Sequence, residues 1–439
     1  MSSTTSDMAL RNVVESVPTE FDYFQSKVIQ AAILNEYDVD YQPVTAMQPG
    51  APIEFLIKGS DQLYLDVNQS KLEIKGRITT AAGANIAGNA DVALTNLSLH
   101  SLFKKVEVEL CGKTLSDSNE LYPYRAFFET LLSFDDDVGR TRLIAEGWQK
   151  DTPGSFDDFR VGNNGANTGF KARAARTATS TSITLIGRPH ADLFHQDKDI
   201  PSGCDLRLRL IPAADAFLIK KDANTAEQYR FRIESARFWA RTKELSPSLM
   251  LAHEKMLQTQ NMRIPYTKVA MKSVSIPIGV TSIEMDNVYT GAMPDRILVA
   301  LIANNRLNGD YNLNPYSFEH FNLSQIALKV NGEQFPRIAY EPNFANGDYI
   351  REYFGLLEAL SMDIGPKAIA LTPTEWATSY PFFMFRLTPS GLPTIPRTGK
   401  ARLSLKFRQA TAAAISALLF AEFPEVIEID RYRNIVNLV

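Results

Sequence analysis

Apolar and polar residues alternate strictly in many short segments of this chain. In Cys204–Leu210 the even-numbered positions hold Cys and Leu, whereas the odd-numbered positions hold Asp and Arg. Alternation with a period of two is typical of a β-strand that buries one face. Six further segments follow the same pattern: Ile53–Ile57, Leu72–Ile74, Val106–Leu110, Tyr229–Ile233, Ile326–Val330 and Ala401–Phe407. The chain is therefore predicted to be mainly β.

Turn signals separate these predicted strands. They are the dipeptides Cys111-Gly112, Asn308-Gly309, Asn331-Gly332 and Asn346-Gly347. Short strands that are divided by such turns are typical of β-sandwiches and β-barrels. The fold class that we predict is all-β, with a few short helices and long loops between the strands.

Two segments interrupt the β pattern with helical spacing. After Pro123, the four residues Phe127, Phe128, Leu131 and Leu132 share one face of a helix. Near the middle of the chain, Ser246-Pro247 combines an N-cap residue with a proline at the first helical position, which predicts a helix over residues 247–258.

The two halves of the chain repeat the same order of features. A strand at Val106–Leu110 precedes a helix at Arg125–Leu132, as a strand at Ile326–Val330 precedes a helix at Arg351–Leu357. We therefore predict two tandem antiparallel sandwiches at residues 46–245 and 246–439, preceded by an N-terminal arm at residues 1–45. The two helices should cap corresponding ends of the sandwiches, with Phe128 and Phe354 in the core.

Composition narrows the class of protein. The 439 residues are 45% hydrophobic and 22% charged, which excludes disorder, collagen and coiled coil as the main architecture. With 46 basic and 50 acidic residues the net charge is −4, so no overall positive charge attracts nucleic acid. No stretch is long and apolar enough to predict a transmembrane helix. The N-terminus resembles no secretory signal, so we expect a protein made and folded inside a cell.

Candidate chemistry is sparse. The two cysteines, Cys111 and Cys204, are expected to be reduced and buried. His190 and His195, with Asp192 and Asp197 nearby, have the residue types of a metal site, but their spacing favours ordinary residues of a loop surface.

The remaining candidates also favour structural roles. His100 and His253 are expected to be structural hydrogen-bonding residues. Lys171–Arg176 is basic, but it lacks the interleaved aromatic residues of a nucleic-acid site, so we expect a solvated loop or a contact with a neighbour. We predict no catalytic residue, no metal ligand and no cofactor-binding residue, and therefore no enzyme.

Several motifs, in chain order, are similar to those of one protein family. They are Glu20–Tyr23, Tyr41–Val44, Ala51–Phe55, Leu99–Phe103, Val106–Val108, Asn119–Arg125, Glu129–Leu132, Lys150–Pro153, His190–Phe194, Pro247–Leu249, Leu251–His253 and Asn308–Pro315. On these motifs the chain resembles the major capsid proteins of Polinton/Maverick elements and their adintovirus relatives. Residues 24–35 depart from the family pattern, so the resemblance does not predict the path of the N-terminal arm.

This resemblance implies a vertical double jelly roll, similar to adenovirus hexon. It further implies a homotrimer of pseudo-hexameric outline that tiles an icosahedral shell around double-stranded DNA, with the virion as its location. Its partners would be further copies of itself and a single jelly-roll penton or minor capsid protein, without sequence-specific binding of nucleic acid. Two alternatives from other classes stay open, a double-sandwich glycan hydrolase and a carbohydrate-binding protein.

Overall fold

The structure is a computed structural model, and it describes residues 29–60, 62–364, 368–388 and 397–438. Most of the described chain is β-strand, with short helices between the strands. The prediction of an all-β protein is confirmed.

The first half of the chain contains ten of the described strands. In chain order they are β1 Ile33–Tyr41, β2 Ile53–Ile57, β3 Leu63–Thr80, β4 Val92–Leu94, β5 Phe103–Leu110, β6 Lys113–Asp117, β7 Ile183–Gly187, β8 Leu206–Pro212, β9 Ile219–Lys221 and β10 Tyr229–Leu245. Five α-helices lie among these strands: α1 Ser98–Ser101, α2 Tyr122–Ser133, α3 Asp136–Arg140, α4 Thr168–Thr177 and α5 Asp215–Leu218.

The second half follows helix α6, Pro247–Leu257, whose proline stands at the first helical position as predicted. Its strands are β11 Met262–Ile276, β12 Ser282–Ala292, β13 Arg296–Ala303, β14 Leu323–Val330, β15 Glu333–Tyr340, β16 Phe383–Arg386, β17 Thr398–Phe407, β18 Ile415–Ile429 and β19 Ile435–Leu438. Its helices are α7 Asn304–Leu307, α8 Ile350–Leu360 and α9 Pro373–Ser379.

Each half forms two antiparallel sheets whose four main strands have the same order; β19 adds a fifth strand beside β18, and β4 and β9 form a separate two-stranded sheet. The sheets of the first half run β1-β10-β3-β7 and β2-β8-β5-β6, and those of the second run β11-β18-β13-β16 and β12-β17-β14-β15. When the eight main strands of each half are counted in chain order, both halves read 1-8-3-6 and 2-7-4-5. This is the order of a jelly roll, so the fold is a double jelly roll.

Local sequence explains much of this architecture. Strand β8 buries its leucines and exposes its arginines alternately, as its pattern predicts. Two hairpins turn through the dipeptides Cys111-Gly112 and Asn331-Gly332, whose φ angles are all positive, between 47° and 88°. Positive φ at both central residues is what a tight two-residue hairpin requires.

The two sandwiches interlock. Helix α2 belongs to the first half of the chain, but Phe127 stacks on Tyr316 at a ring distance of 4.2 Å, and Phe128 contacts Phe382 of the second half at 5.1 Å. In the opposite direction, Ile264 and Ile427 of the second half pack into the core of the first sandwich. The two cores therefore share side chains.

Some predictions need correction. Strand β1 pairs with β10 throughout its length, so residues 33–41 of the predicted arm are the first strand of the first sandwich. Residues 1–28 lie outside the described residues, and the predicted boundaries at 46–245 and 246–439 stay a proposal. Phe128 is fully buried, but the Phe354 side chain is 45% exposed, so the prediction of a core position is wrong for Phe354.

The segment around α4 also differs from its prediction. Arg173, which we expected on a solvated loop, is buried, and its guanidinium contacts the Asp151 carboxylate at 2.6 Å. Asn167 caps the helix by accepting a hydrogen bond from the backbone N–H of Phe170 at 3.1 Å. The segment is thus held by buried polar contacts that its Gly- and Asn-rich sequence does not reveal.

Candidate functional site

A pocket of about 860 Å³ opens where the two sandwiches meet, and we call it the junction pocket. Helix α2 and the segment between β7 and β8 supply its wall from the first half. Strands β11, β13 and β18 supply the wall from the second half, through Val269, Arg296 and Glu422. A change in the charge or size of a side chain in this pocket therefore affects the contacts of both sandwiches.

An ion-pair network fixes the base of the junction pocket. The buried Arg125 guanidinium contacts Asp192 at 2.7 Å and Glu129 at 2.8 Å. Asp192 also accepts a hydrogen bond from the backbone N–H of Val269, at 3.0 Å, in the second half of the chain. Removing one partner of a buried ion pair leaves an uncompensated charge, so this network ties α2, the β7–β8 segment and β11 together.

Three histidines surround this network. His100 lies 4.5 Å from His190, and His190 lies 5.4 Å from His195, measured between ring centroids. His190 Nδ1 lies 2.6 Å and His195 Nε2 lies 3.5 Å from Glu129 Oε2. His100 Nε2 lies 3.3 Å from Glu146 Oε2. The cluster thus joins residues that are far apart in the sequence.

Burial controls the charge states in this cluster. Burial and, to a smaller extent, the nearby His190 lower the pKa of His100 to about 4, against the attraction of Glu146. Burial by itself would raise the pKa of Glu129, but the Arg125 charge and the hydrogen bond from His190 outweigh it and hold this pKa below its usual range. At neutral pH, His100 is therefore uncharged and Glu129 is ionised.

The candidate residues predicted from the sequence differ in their burial. His190 is 6% exposed, so its assignment to a loop surface is wrong, and Asp192 is also buried. Asp197 is exposed, and 28% of the His195 side chain is exposed at the edge of the pocket.

The remaining candidates agree with their predictions in part. His100 bonds to the Tyr122 hydroxyl and His253 to the Tyr64 hydroxyl, both at 2.8 Å, as predicted for structural histidines. Cys204 is buried, whereas Cys111 is half-buried, and both thiols are free. The sequence pattern did not reveal Glu129 and Glu146, because their approach to the histidines depends on the packing of α2 and of the segment 142–146.

Two overlapping sets of residues have the atom types of a metal site. Glu129, His190 and His195 form one set, and His100, Glu146 and His190 form the other, with ligand atoms within 4.8 Å of one another in each. Every imidazole nitrogen in these sets, however, lies within 3.5 Å of a protein N–H, hydroxyl or carboxylate. The absence of a bound metal in this protein stays a prediction.

Exposed apolar side chains form a second kind of candidate site. On the second sandwich, Ile338 of β15 is 74% exposed, and Ile350 and Phe354 of α8 are 55% and 45% exposed. Arg351 brings this strand and this helix together by donating hydrogen bonds to the Ile338 and Ala339 carbonyls. Contiguous exposed apolar surface is typical of contact sites with other proteins, so these side chains are candidates for such a contact.

None of the helices in the described parts of the chain has the length and apolar character needed to cross a membrane. The apolar stretch near residues 412–421 instead contributes to β18, whose residues Ile415–Ala421 are all buried.

Comparison with known proteins gives one sequence relative and a set of similar folds. No family model matches the chain. The uncharacterized protein F54H12.2 of Caenorhabditis elegans is 21% identical over 414 residues, which cover 89% of this chain and 94% of that protein.

Solved structures of viral capsid proteins have a similar fold. The Sputnik virophage structure matches with a TM-score of 0.65 at 10% identity, over 97% of this chain and 93% of that one. The Faustovirus major capsid protein matches with a TM-score of 0.55 at 10% identity, over 98% and 94%. The mavirus major capsid protein matches with a TM-score of 0.50 at 11% identity, over 97% and 96%. At these identities the likeness shows the fold.

Proposed function

We propose that this chain is a structural major capsid protein of the double jelly-roll class and that it is not an enzyme. The observation that carries the proposal is the identical strand order of the two sandwiches. Two similar sandwiches in one chain let three copies form a block of nearly sixfold outline, which can tile a closed shell. The fold likeness to viral capsid proteins, which extends over nearly the whole chain, supports the same role.

In this proposal the chain forms homotrimeric, pseudo-hexameric capsomers that assemble into an icosahedral shell around double-stranded DNA. A cyclic trimer must close on itself, so each subunit presents two different surfaces to its neighbours. A single jelly-roll penton or minor capsid protein would fill the fivefold positions. The net charge of −4 suits a shell that encloses DNA without binding particular sequences. The motifs shared with Polinton/Maverick and adintovirus proteins favour that source over other capsid lineages.

A glycan hydrolase would place carboxylates in the cleft between the sandwiches. Three glutamates line the junction pocket, and each of them contacts a basic side chain: Glu129 contacts Arg125, Glu146 contacts His100, and Glu422 contacts Arg296. This pairing is typical of a structural network, whereas a hydrolase needs one carboxylate free to act on substrate.

The test combines mass measurement with imaging. Three copies of the 49.0 kDa chain make a trimer of 147 kDa, which light scattering after size-exclusion chromatography should detect. Electron microscopy of the expressed chain, with and without a penton protein, should show closed particles or ordered capsomer arrays. A monomer at all concentrations, with no assemblies, would contradict the capsid role. Release of sugar from glycans that is lost in Glu129→Gln would instead favour the hydrolase.

A further inference from the structure

Three of the five histidines of this chain meet at the junction pocket. His100 comes from α1, and His190 and His195 come from the segment between β7 and β8. This segment contacts the second half of the chain through Asp192 and Val269. The cluster is therefore built into the contact between the sandwiches and is not a surface feature of one of them.

The hydrogen bonds around the cluster suit neutral imidazoles better than a metal ion. The backbone N–H of His190 donates to the Tyr122 hydroxyl at 3.2 Å, which leaves the hydroxyl proton for His100 Nδ1 at 2.8 Å. Arg188 can only donate, so His195 Nδ1 accepts its hydrogen bond at 3.2 Å and the proton of that ring is on Nε2, facing Glu129. A metal ion would have to displace these partners.

We propose that His100 and His195, which pack on either side of His190, form an acid-sensitive switch that holds the two sandwiches together at neutral pH and loosens their contact when these two imidazoles take up protons. This inference concerns the stability of the subunit, and it holds whether or not the chain forms a capsid.

Charged groups on every neighbouring element oppose additional positive charge or partly compensate it. The groups that line the pocket or interact with the cluster are Lys71 of β3, Arg125 and Glu129 of α2, Arg142 and Glu146 of the segment that follows α3, Arg188 and Asp192 of the β7–β8 segment, Arg296 of β13 and Glu422 of β18. Asp192 is already paired with Arg125, and Glu422 with Arg296. Protonation of His100 or His195 is therefore opposed first by burial and then by the neighbouring positive groups, while Glu129 and Glu146 attract the added charge.

The mechanical link runs through the β7–β8 segment. A protonated His195 would face the Arg188 guanidinium across a contact of 3.2 Å, in which neither side has a lone pair to offer. Moving His195 away from Arg188 also moves Asp192, which is three residues earlier in the same segment. The Asp192 contacts to Arg125 and to the backbone of Val269 would then weaken, and these contacts join the two sandwiches.

The direction of the pH effect follows from the pKa shifts. Burial lowers the pKa of His100 to about 4, and burial also lowers the pKa of His195, against the attraction of Glu129. The unfolded or opened chain therefore binds more protons than the folded chain below about pH 6.5, the ordinary histidine pKa. The part of the stability that depends on the uncharged His100 and His195 is fully present above that pH and is lost as the pH falls towards 4.

The experiment compares unfolding of the full chain at several pH values. Two protons taken up only on opening would lower the folding equilibrium constant by up to about 100-fold per pH unit between pH 6 and pH 4.5. The double variant His100→Gln/His195→Gln retains hydrogen-bonding side chains but cannot titrate, so it should flatten this dependence. His253→Gln, at the Tyr64 contact outside the cluster, is the matched control and should leave the pH dependence unchanged.

A second measurement covers the case in which the double variant does not fold. Hydrogen–deuterium exchange at the imidazole C2 position, followed by mass spectrometry of the wild-type chain, reports the pKa of each histidine. Low pKa values for His100 and His195, together with faster backbone exchange in β11 at pH 5, would support the switch. Ordinary pKa values near 6.5 at both residues, or equal pH dependence in the wild type and the double variant, would overturn it.

Discussion

Lys220 shows how much a single buried charge affects this protein. Its side chain is 1% exposed, and its ammonium donates hydrogen bonds to the Ala216 carbonyl at 2.7 Å and the Asp310 carbonyl at 2.6 Å. Burial lowers the pKa of Lys220 to about 7, against the attraction of Asp310 and Asp157 and with a smaller repulsion from Arg306. The folded chain thus releases this proton far more readily than the unfolded chain does.

We predict that stability changes with pH through Lys220. Between pH 7 and about 10.5 the unfolded state binds one more proton than the folded state, so stability rises with pH by up to about 1.4 kcal/mol per unit. Chemical denaturation of the wild type and Lys220→Met at pH 7.5 and 9.5 measures this effect. The stability of the wild type relative to the variant should increase by about 2 kcal/mol, and parallel pH profiles would show that Lys220 stays charged.

Sequence reasoning was most accurate for residues whose position depends on local pattern. The alternation in β8 and β17 correctly gave the buried and exposed residues of both strands. It missed the contacts of His190 with Glu129 and of Arg173 with Asp151, which join residues 61 and 22 positions apart. Such contacts depend on how whole elements pack, and alternation contains no information about that packing.

At the scale of elements, helices α2 and α8 follow equivalent strands but have different surroundings. Helix α2 is buried on almost all sides, because its residues reach both cores. Helix α8 buries Leu356 and exposes Phe354, as expected for a helix on the outer surface. The sequence repeat therefore predicted the order of the elements correctly, but it could not distinguish a helix between the sandwiches from one outside them.

This difference predicts unequal effects of matching substitutions. Phe128→Ala should reduce the free energy of unfolding by about 3 to 5 kcal/mol, because a fully buried phenylalanine leaves a cavity. Phe354→Ala, at 45% exposure, should reduce it by less than about 1 kcal/mol. Denaturation with urea measures both changes. Equal losses in the two variants would show that α8 is covered in the folded protein.

At the scale of the whole molecule, the eight main strands of the first sandwich all lie among the described residues, beginning with β1. Strand β1 begins at Ile33, so the residues before it are not needed for any sheet pairing that the structure describes. On the proposed capsid role, we predict that a chain lacking residues 1–28 folds and forms the 147 kDa trimer but assembles into shells poorly. Light scattering and electron microscopy would measure these two properties separately. Loss of the folded subunit would show that the deleted residues belong to the sandwich.

The exchange of side chains between the two cores has a consequence for how the chain is made. Synthesis proceeds from the N-terminus, so helix α2 leaves the ribosome before Tyr316, Phe382 and Phe420, its aromatic neighbours, have been translated. Until then Phe127 and Phe128 lack these aromatic neighbours, and the first sandwich lacks Ile264 and Ile427. Completion of the fold therefore waits until β18 has been translated, and a chain that is terminated before β18 exposes an apolar helix that favours aggregation.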